Sequence, residues 1–304
     1  MKQAVVTGAY GFIGRHVSRA LAAHGFTVRG IGHGDWTRPQ WQAWGLADWQ
    51  TSGITVGSLD NFAGNPDVLI HCAGGSSVAA SVSDPFADFQ RSVGSTAAVL
   101  EFARTQAPET RLVFSSSAAV YGTVSKFPMA VGDPLAPYSP YGVHKRMMEE
   151  LSESYGRYSN LRCAVVRLFS VYGSGNRKQL VWDACRKFSA GDQSFGGTGA
   201  ETRDWVHVDD VAELLVAAAA HASTQTPIVN GATGQATRNR DLLTMVARGF
   251  LPEVSLEFSG ISRAGDPQCY HADIGSALEW AWRPQRCLET EIDRYVHWFK
   301  SGAP

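Results

Sequence analysis

Short apolar runs rich in β-branched residues alternate with longer stretches of helical spacing over the first half of the chain. The runs are AVVTGA (4–9), TVRGIG (27–32), GITVGSL (53–59), DVLIHCAGG (67–75), RLVFSSS (111–117) and LRCAVVRLFSVYG (161–173). The helical stretches include FIGRHVSRALAAHG, DPFADFQRSVGSTAAVLEFAR and YGVHKRMMEELSESYGRY. Strands that alternate with helices of this length predict βαβ units and a parallel sheet.

This alternation becomes irregular after Gly173, where the Gly-rich segment SAGDQSFGGTGAETRD opens a less regular final third. We therefore expect an α/β fold with two parts. Residues 1–173 are predicted to form a Rossmann-type doubly wound parallel sheet that binds NAD(P), and residues 174–304 a smaller substrate-binding lobe. The lobe is expected to be partly interleaved with the core, with about 203–231 returning to it.

Composition and charge narrow the classes of function. The 304 residues are 44% hydrophobic and 18% charged, with a formal net charge of -1, which is typical of a globular protein and gives no basic field for nucleic acid. The five cysteines are scattered without a CxxC pair, and the histidines are dispersed, which argues against disulfides and metal sites. We expect no signal peptide and no membrane span, and we expect a cytoplasmic location.

Three glycines follow the first predicted strand. VVTGAYGFIG places Gly8, Gly11 and Gly14 between this strand and the next helix, in GxxGxxG spacing. Glycines at such a turn let a pyrophosphate approach the backbone at the positive end of the helix. The position of the loop, between a strand and a helix, therefore predicts dinucleotide binding.

A tyrosine and a lysine are spaced to share one face of a later helix. Tyr141 and Lys145 are four residues apart in YGVHK, about two dozen residues after the strand that ends in FSSS. The ordinary pKa of tyrosine, near 10, is too high for acid–base chemistry at neutral pH. We expect the nearby ammonium, with a cationic nicotinamide, to move the pKa of Tyr141 down. A serine hydroxyl would hold the C–O group of the substrate beside it.

These motifs and their order resemble an extended short-chain dehydrogenase/reductase of the nucleotide-sugar epimerase/dehydratase branch. The matching pieces are TGAYGFIG, DVLIHCAG, FSSSAAVYG, YGVHK, VVRLFSVYG, RDWVHVDDVA and RAGD. The resemblance implies that Tyr141 is the acid–base group, that Lys145 orients it and binds the nicotinamide ribose, and that Ser117 bonds the substrate oxygen.

The resemblance also implies two sets of binding residues. The residues expected at the cofactor are Gly8, Gly11, Phe12, Ile13, Gly14, His33, Arg38, Ser58, Leu59, Ala73, Gly74, Ser115, Tyr141, Lys145 and Phe169. Those expected at a nucleotide-diphosphate sugar are Ser117, Ser170, Gln179, Arg203, Arg263 and Asp266.

Other residues near the expected sugar site leave alternatives open. Arg203 either binds the diphosphate, as a guanidinium fork does well, or pairs with Asp204 or Asp209 in a surface network. Arg177 and Lys178 face either the ligand or solvent. His144 is expected to point outward from its helix.

Several positions depart from the family's pattern. Ser92 and Ser170 stand where many relatives have asparagine, and Ser58 where many have aspartate near the adenine, which weakens the transfer of fine specificity. Ala118 and Ala119 replace the acid pair that resembles a 4,6-dehydratase, so we do not expect dehydration.

The end of the second predicted strand bears on which nicotinamide cofactor is bound. The second strand ends on Gly32 instead of an acid, with Asp35 further along. An acid at this position repels a 2′-phosphate, so its absence, with His33 and Arg38 nearby, favours NADP over NAD.

Our leading hypothesis is therefore a reductase that transfers hydride to C4 of a nucleotide-linked 4-keto sugar. The alternative is a nucleotide-sugar 4-epimerase that retains NAD, and a remote one is a non-catalytic dinucleotide sensor. The resemblance further implies a homodimer built on two of the predicted helices, and the composition predicts no nucleic-acid or membrane partner.

Overall fold

The computed structural model describes residues 2–123, 126–251, 253–261 and 268–302. Its strands are β1 (Gln3–Thr7), β2 (Thr27–Gly32), β3 (Leu46–Thr51), β4 (Val68–His71), β5 (Arg111–Ser117), β6 (Arg162–Leu168), β7 (Ser170–Tyr172), β8 (Ser194–Phe195), β9 (Thr202–Arg203), β10 (Trp205–His207), β11 (Ile228–Gly231), β12 (Thr237–Arg238) and β13 (Glu257–Phe258).

The helices run between these strands. They are α1 (Phe12–Ala23), α2 (Arg38–Ala43), α3 (Val56–Phe62), α4 (Val78–Ser83), α5 (Pro85–Phe89), α6 (Ser95–Gln106), α7 (Pro140–Ser159), α8 (Gln179–Ser189), α9 (Val208–His221), α10 (Asn239–Arg248), α11 (Gly275–Leu278) and α12 (Leu288–Ser301). A π-helical turn, Gln90–Gly94, joins α5 to α6, and a 3₁₀ turn, Ala118–Val120, follows β5.

Seven of the strands form one parallel sheet, in the order β11-β6-β5-β4-β1-β2-β3. The order along the chain reverses direction at β1 and β4, which is the switch point of a doubly wound sheet. Loops after the carboxyl ends of these two strands diverge, so the crevice between them is where such a fold binds its ligand. The predicted fold class is thereby confirmed.

Successive strand residues point to opposite faces of this sheet and enter two separate cores. Val6 packs in a core with Leu21 of α1 and Leu215 of α9. Its neighbour Val5 packs in a second core with Leu100 of α6. Burial on both faces explains why the strands are continuous apolar runs without alternation.

The C-terminal third adds a smaller packed unit next to the sheet. Side chains of α8, α10 and α12 form a further core with Tyr172 and Trp205 on the short β7–β10 pair. The strand β11 lies at the edge of the main sheet, where its residues pair with β6. Among the described residues, no helix combines the length and the apolar character that a membrane span requires.

The third strand lies elsewhere than the sequence predicts. Residues 53–59 were expected to be extended, but β3 is Leu46–Thr51 and most of the predicted stretch belongs to α3. The Ser58 backbone N–H donates to the Thr55 hydroxyl at 3.1 Å, and the Ser58 hydroxyl accepts from the Thr55 N–H at 3.0 Å. This reciprocal capping starts a helix and overrides the β-branched composition of the stretch.

Candidate functional site

A cleft of about 1260 Å³ runs along the carboxyl edge of the sheet, at the β1–β4 switch point. It is bounded by the glycine loop, the ends of β4 and β5, the start of α7 and the segment after β6. The predicted residues that line it are Gly8, Gly11, Phe12, Ile13, Gly14, His33, Ala73, Gly74, Ser115, Ser117, Tyr141, Lys145, Phe169, Ser170, Gln179 and Arg203.

The glycine loop fits a pyrophosphate through its lack of side chains. Gly8 has φ of +68°, and a Cβ there would lie 2.7 Å from the Ala73 backbone nitrogen. A Cβ on Gly14 would lie 2.2 Å from the Gly8 carbonyl oxygen. Gly11 precedes α1 without a side-chain cap, so the first amides of this helix are available to an anion. The loop therefore has the form that a dinucleotide requires.

Two regular elements present the reactive side chains. The Ser139 hydroxyl accepts the Gly142 N–H at 3.1 Å and Pro140 occupies the first helical turn, so α7 begins just before Tyr141. The Lys145 ammonium donates to the Ser115 carbonyl at the end of β5, at 2.8 Å, and lies 5.9 Å from the centre of the Tyr141 ring. The Ser117 side chain lies near Tyr141 and lowers the pKa of its phenol.

The surroundings change the acidity of both groups. Burial lowers the pKa of Lys145 to about 8, and the nearby Asp88 and Glu149 carboxylates oppose this. Burial also raises the pKa of Tyr141, while Ser117 lowers it. The expected downward shift of the Tyr141 pKa depends on a cationic nicotinamide as well as on the ammonium, so it stays a prediction.

Three residues expected at the adenosine end of the cleft are not among those that line it. Arg38 is exposed at the start of α2. Ser58 is engaged in the cap of α3, and Leu59 is fully buried in the core. The shifted third strand explains the last two, because it brings a different segment, Gly53 to Thr55, to the cleft wall.

An arginine missed by the sequence analysis lies beside this end. Arg15 lines the cleft, donates to the Tyr10 carbonyl, and stacks near the rings of Tyr10, Trp36 and Trp44 at 5.4–5.7 Å. Trp36 packs edge-on against Tyr10 and is buried. Arg15 directly follows Gly14 in the sequence. Because the first turn of such a helix faces a bound anion, this position could have predicted Arg15 as a binding residue.

The end of the cleft where the sugar is expected is basic. Gln179, Ser170 and Arg203 line it, and so do Arg177 and Lys178. Across the whole cleft the lining cations are Arg15, Arg91, Lys145, Arg177, Lys178 and Arg203, and no Asp or Glu is among the described lining residues. Such a lining in a chain of net charge -1 suits a ligand with several phosphates.

Two neighbouring acids of Arg203 have other partners. Asp204 accepts from Thr233 and the Gly234 N–H, and Asp209 accepts from His16 and Arg19. Tyr270, which the sequence analysis did not select, lines the cleft, packs against Phe169 and donates to the Ala118 carbonyl. The predicted residues Arg263 and Asp266 lie outside the described residues.

His144 does not point outward as expected. It is buried, and its Nδ1 lies 2.6 Å from Oδ2 of Asp88 on α5. In the part of the chain that the structure describes, no cluster of three or more His, Cys, Asp or Glu is arranged to hold a metal ion.

Comparison with known proteins agrees with this geometry. The model of the NAD dependent epimerase/dehydratase family matches residues 4–231. A UDP-glucose 4-epimerase of Mycolicibacterium smegmatis is 31% identical over 313 residues, which cover 98% of each chain.

Two solved structures are similar over nearly the whole chain. The UDP-glucose 4-epimerase of Thermotoga maritima with UDP-glucose has a TM-score of 0.88 at 25% identity and covers 99% of this chain and 100% of its own. The UDP-glucose 4-epimerase of Brucella ovis in complex with NAD has a TM-score of 0.85 at 26% identity and covers 98% of each chain.

Proposed function

Since the chain belongs to the NAD-dependent epimerase/dehydratase family, we propose that it interconverts the C4 epimers of a UDP-sugar and keeps NAD bound between turnovers. The observation that carries the proposal is the Ser117–Tyr141–Lys145 group at the cleft, next to alanines at 118 and 119. This group can move a proton at one hydroxyl. The alanines offer no second acid–base pair with which to eliminate water.

The cofactor would lie along the glycine loop. Gly8, Gly11 and Gly14 with the start of α1 would hold its pyrophosphate, and Lys145 would bond the nicotinamide ribose. When bound, NAD supplies the acceptor and donor of the C4 hydride. NAD is proposed over NADP because the Brucella ovis relative is complexed with NAD and because an epimerase reuses its cofactor.

Tyr141 is proposed as the group that takes the proton from the C4 hydroxyl and returns it. Ser117 lies near Tyr141 and is positioned to bond the same substrate oxygen. Burial raises the pKa of Tyr141, so this residue holds its proton firmly when positive charge is absent and releases it when charge is near. A cationic nicotinamide would supply such a charge, and the Lys145 ammonium, anchored on Ser115, lies 5.9 Å from the centre of the Tyr141 ring.

The substrate is proposed to be a UDP-sugar. Its diphosphate would lie against the basic sugar end, with Arg203 as a principal partner, because guanidinium groups match phosphate oxygens. The two UDP-glucose 4-epimerase structures support this choice. Between the sugar and the sheet, Phe169 and Tyr270 form an apolar wall on which a keto sugar can turn to present its other face.

The reductase that we first expected is not supported by these relatives, which are epimerases. The absence of an acid at Gly32, on which that expectation rested, affects affinity for the adenosine ribose and leaves the C4 chemistry unchanged. A non-catalytic sensor is less favoured because Tyr141 and Lys145 are both present and share the cleft.

We also propose that the protein is a homodimer. Apolar side chains on α4, α5 and α7 are exposed together: Val78, Val82, Phe86, Val143 and Met147. Their exposed fractions range from 38% to 71%, and each pair on α4 or α7 is spaced four residues apart, on one face of its helix. A patch of this kind is typical of a subunit interface. The cytoplasmic location stays a prediction.

The first experiment separates the epimerase from the reductase. Protein as purified is incubated with UDP-glucose, UDP-glucuronate or UDP-N-acetylglucosamine, and no NAD or NADP is added. The epimers are then separated by chromatography. Formation of a 4-epimer, with stoichiometric NAD released on denaturation, is the expected result. Consumption of a UDP-4-keto sugar with NADPH, and no epimer from any of the three, would replace the proposal with a reductase.

A further inference from the structure

A buried acid–histidine pair lies directly behind the acid–base centre. Asp88 of α5 and His144 of α7 are 1% and 8% exposed, and Oδ2 of Asp88 lies 2.6 Å from Nδ1 of His144. His144 precedes Lys145 and follows Tyr141 by three residues, so the pair is attached to the helix that carries both groups. The chemistry described above does not use it.

The cleft wall is built around this carboxylate. A Cβ on Gly75 would lie 1.9 Å from Oδ1 of Asp88, so a glycine is required where the loop passes the acid. The Gly75 N–H donates to the Ser92 hydroxyl at 3.0 Å, and Gly75 itself lines the cleft. Phe89 packs edge-on against the His144 ring, with centroids 5.6 Å apart. The carboxylate therefore has a defined place between the loop and α7.

The charge of Asp88 acts on the two reactive groups in the same direction. It raises the pKa of Tyr141, secondary to burial, and it raises the pKa of Lys145 against the larger effect of burial. The other titratable groups that face the centre are His71 and Cys72 at the end of β4 and Glu149 on α7. The six residues of α4, VAASVS, contribute the uncharged Ser81, which accepts the Tyr141 N–H at 3.0 Å.

We propose that Asp88 and His144 form a positioning pair for the acid–base centre. His144 holds the Asp88 carboxylate against Gly75, and from there its negative charge favours the Lys145 ammonium and disfavours the Tyr141 phenolate. The pair thus sets the pH range in which a protonated lysine and an ionisable tyrosine coexist. This inference rests on the proposed roles of Tyr141 and Lys145.

The main test removes the charge of the Asp88 side chain and keeps its shape. Asp88→Asn preserves an oxygen that can accept from His144 and removes the negative charge. Both limbs of the pH profile of kcat should then move to lower pH, since Tyr141 ionises and Lys145 loses its proton more readily. One pH unit below the wild-type acid midpoint, kcat relative to its own maximum should rise about threefold.

A matched control is available on α7, the helix that carries Tyr141 and Lys145. Glu150→Gln removes one negative charge from α7 at an exposed site, where Glu150 pairs with Arg146 at 2.8 Å. We expect no shift of either midpoint for this variant. An equal shift in Glu150→Gln and Asp88→Asn would assign the effect to the loss of one negative charge anywhere near the centre and overturn the proposal.

Two variants of His144 test whether its hydrogen bond to Asp88 holds the carboxylate in place. In His144→Asn the amide nitrogen can replace Nδ1 as a donor, and the pH profile should be retained. In His144→Leu the buried carboxylate loses its partner, and kcat should fall about tenfold because the acid no longer holds its place. Equal activity and equal pH profiles in these two variants would show that His144 does not position Asp88.

A readout without turnover separates this inference from the proposed function. In protein labelled with [¹³Cζ]tyrosine and loaded with NAD, the Tyr141 signal is assigned by its loss in Tyr141→Phe. It should titrate at lower pH in Asp88→Asn than in wild type, whether or not any UDP-sugar is epimerised. An unchanged titration would overturn the inference. If Asp88→Asn does not fold, Asp88→Ala with His144→Ala, which removes both partners, carries the same prediction.

Discussion

The Lys145 ammonium donates a hydrogen bond to the Ser115 carbonyl at 2.8 Å, which ties α7 to the end of β5. Ser115 and Ser117 are two residues apart in β5, a rise of about 6.6 Å along the strand. Tyr141 and Lys145 are four apart on one face of a helix, a rise of about 6 Å. Because these two rises nearly match, the strand can meet both helical side chains at once, Lys145 through Ser115 and Tyr141 through Ser117.

Replacement of Tyr141 by phenylalanine should remove the chemistry and leave the fold intact. The variant lacks the hydroxyl that moves the proton, and loss of a positioned acid–base group costs about 10²–10⁴ in rate. We expect kcat to fall by that factor, with UDP binding measured by calorimetry unchanged. A variant that epimerises at more than a tenth of the wild-type rate would contradict the assigned role.

Replacement of Lys145 by methionine should change how stability depends on pH. The folded pKa of Lys145, about 8, lies below its ordinary value of 10.5, so between these two pH values the unfolded chain binds more protons. Folding is therefore favoured as pH rises through this window, and the loss of the lysine should remove about 1 kcal/mol of that gain per pH unit.

Urea unfolding of wild type and Lys145→Met at pH 7, 8, 9 and 10 measures this effect. The difference in unfolding free energy should be constant up to about pH 8 and then grow in favour of wild type. Parallel profiles across the range would mean that the pKa of Lys145 is not lowered in the folded protein.

Two glycine-to-alanine substitutions should change the free energy of unfolding in opposite directions. Gly14→Ala places a Cβ 2.2 Å from the Gly8 carbonyl oxygen, and the resulting overpacking should cost about 1–3 kcal/mol and weaken NAD binding. Gly57→Ala is the control, since it lies in α3 with nothing within 4 Å of the new Cβ. It should stabilise the protein by about 0.5–1 kcal/mol. Chemical unfolding and NAD titration of both variants report the two effects.

The exposed apolar face on α4, α5 and α7 should be the dimer interface. Sedimentation at micromolar concentration is expected to show a dimer for wild type and a monomer for Phe86→Glu with Met147→Glu, because a dimer would bury these charges without partners. Ile261→Glu, at a residue 75% exposed in the other lobe, is the control and should remain dimeric. A wild-type monomer would contradict the assignment.

Many residues that line the cleft could be predicted because the residues of each motif lie close together in the chain. The glycine loop, the run FSSS and YGVHK each lie at the junction of one strand or helix with its loop. Strands β2 and β5 have the predicted bounds, 27–32 and 111–117, because each contains short buried residues between clear turn signals. Periodicity and turn chemistry act within a few residues, and such signals can be read without the fold.

The adenosine end could not be predicted in the same way. Ile54, Thr55 and Val56 look like strand residues by composition. The mutual hydrogen bonds of Thr55 and Ser58 instead start a helix there. As a consequence Ser58 and Leu59 were assigned to a site that Gly53 and Ile54 border. The different position of the third strand therefore affects the assignment of both residues.

The sequence by itself determined the fold class, the dinucleotide loop and the Ser–Tyr–Lys group, since each depends on residues close together in the chain. Only the tertiary structure decided that His144 turns inward to Asp88, 56 residues away, and that Arg15 and Tyr270 reach the cleft. The physical reason is that burial and the pairing of charges are properties of several elements packed together. No periodicity along one segment records which charge another segment brings beside it.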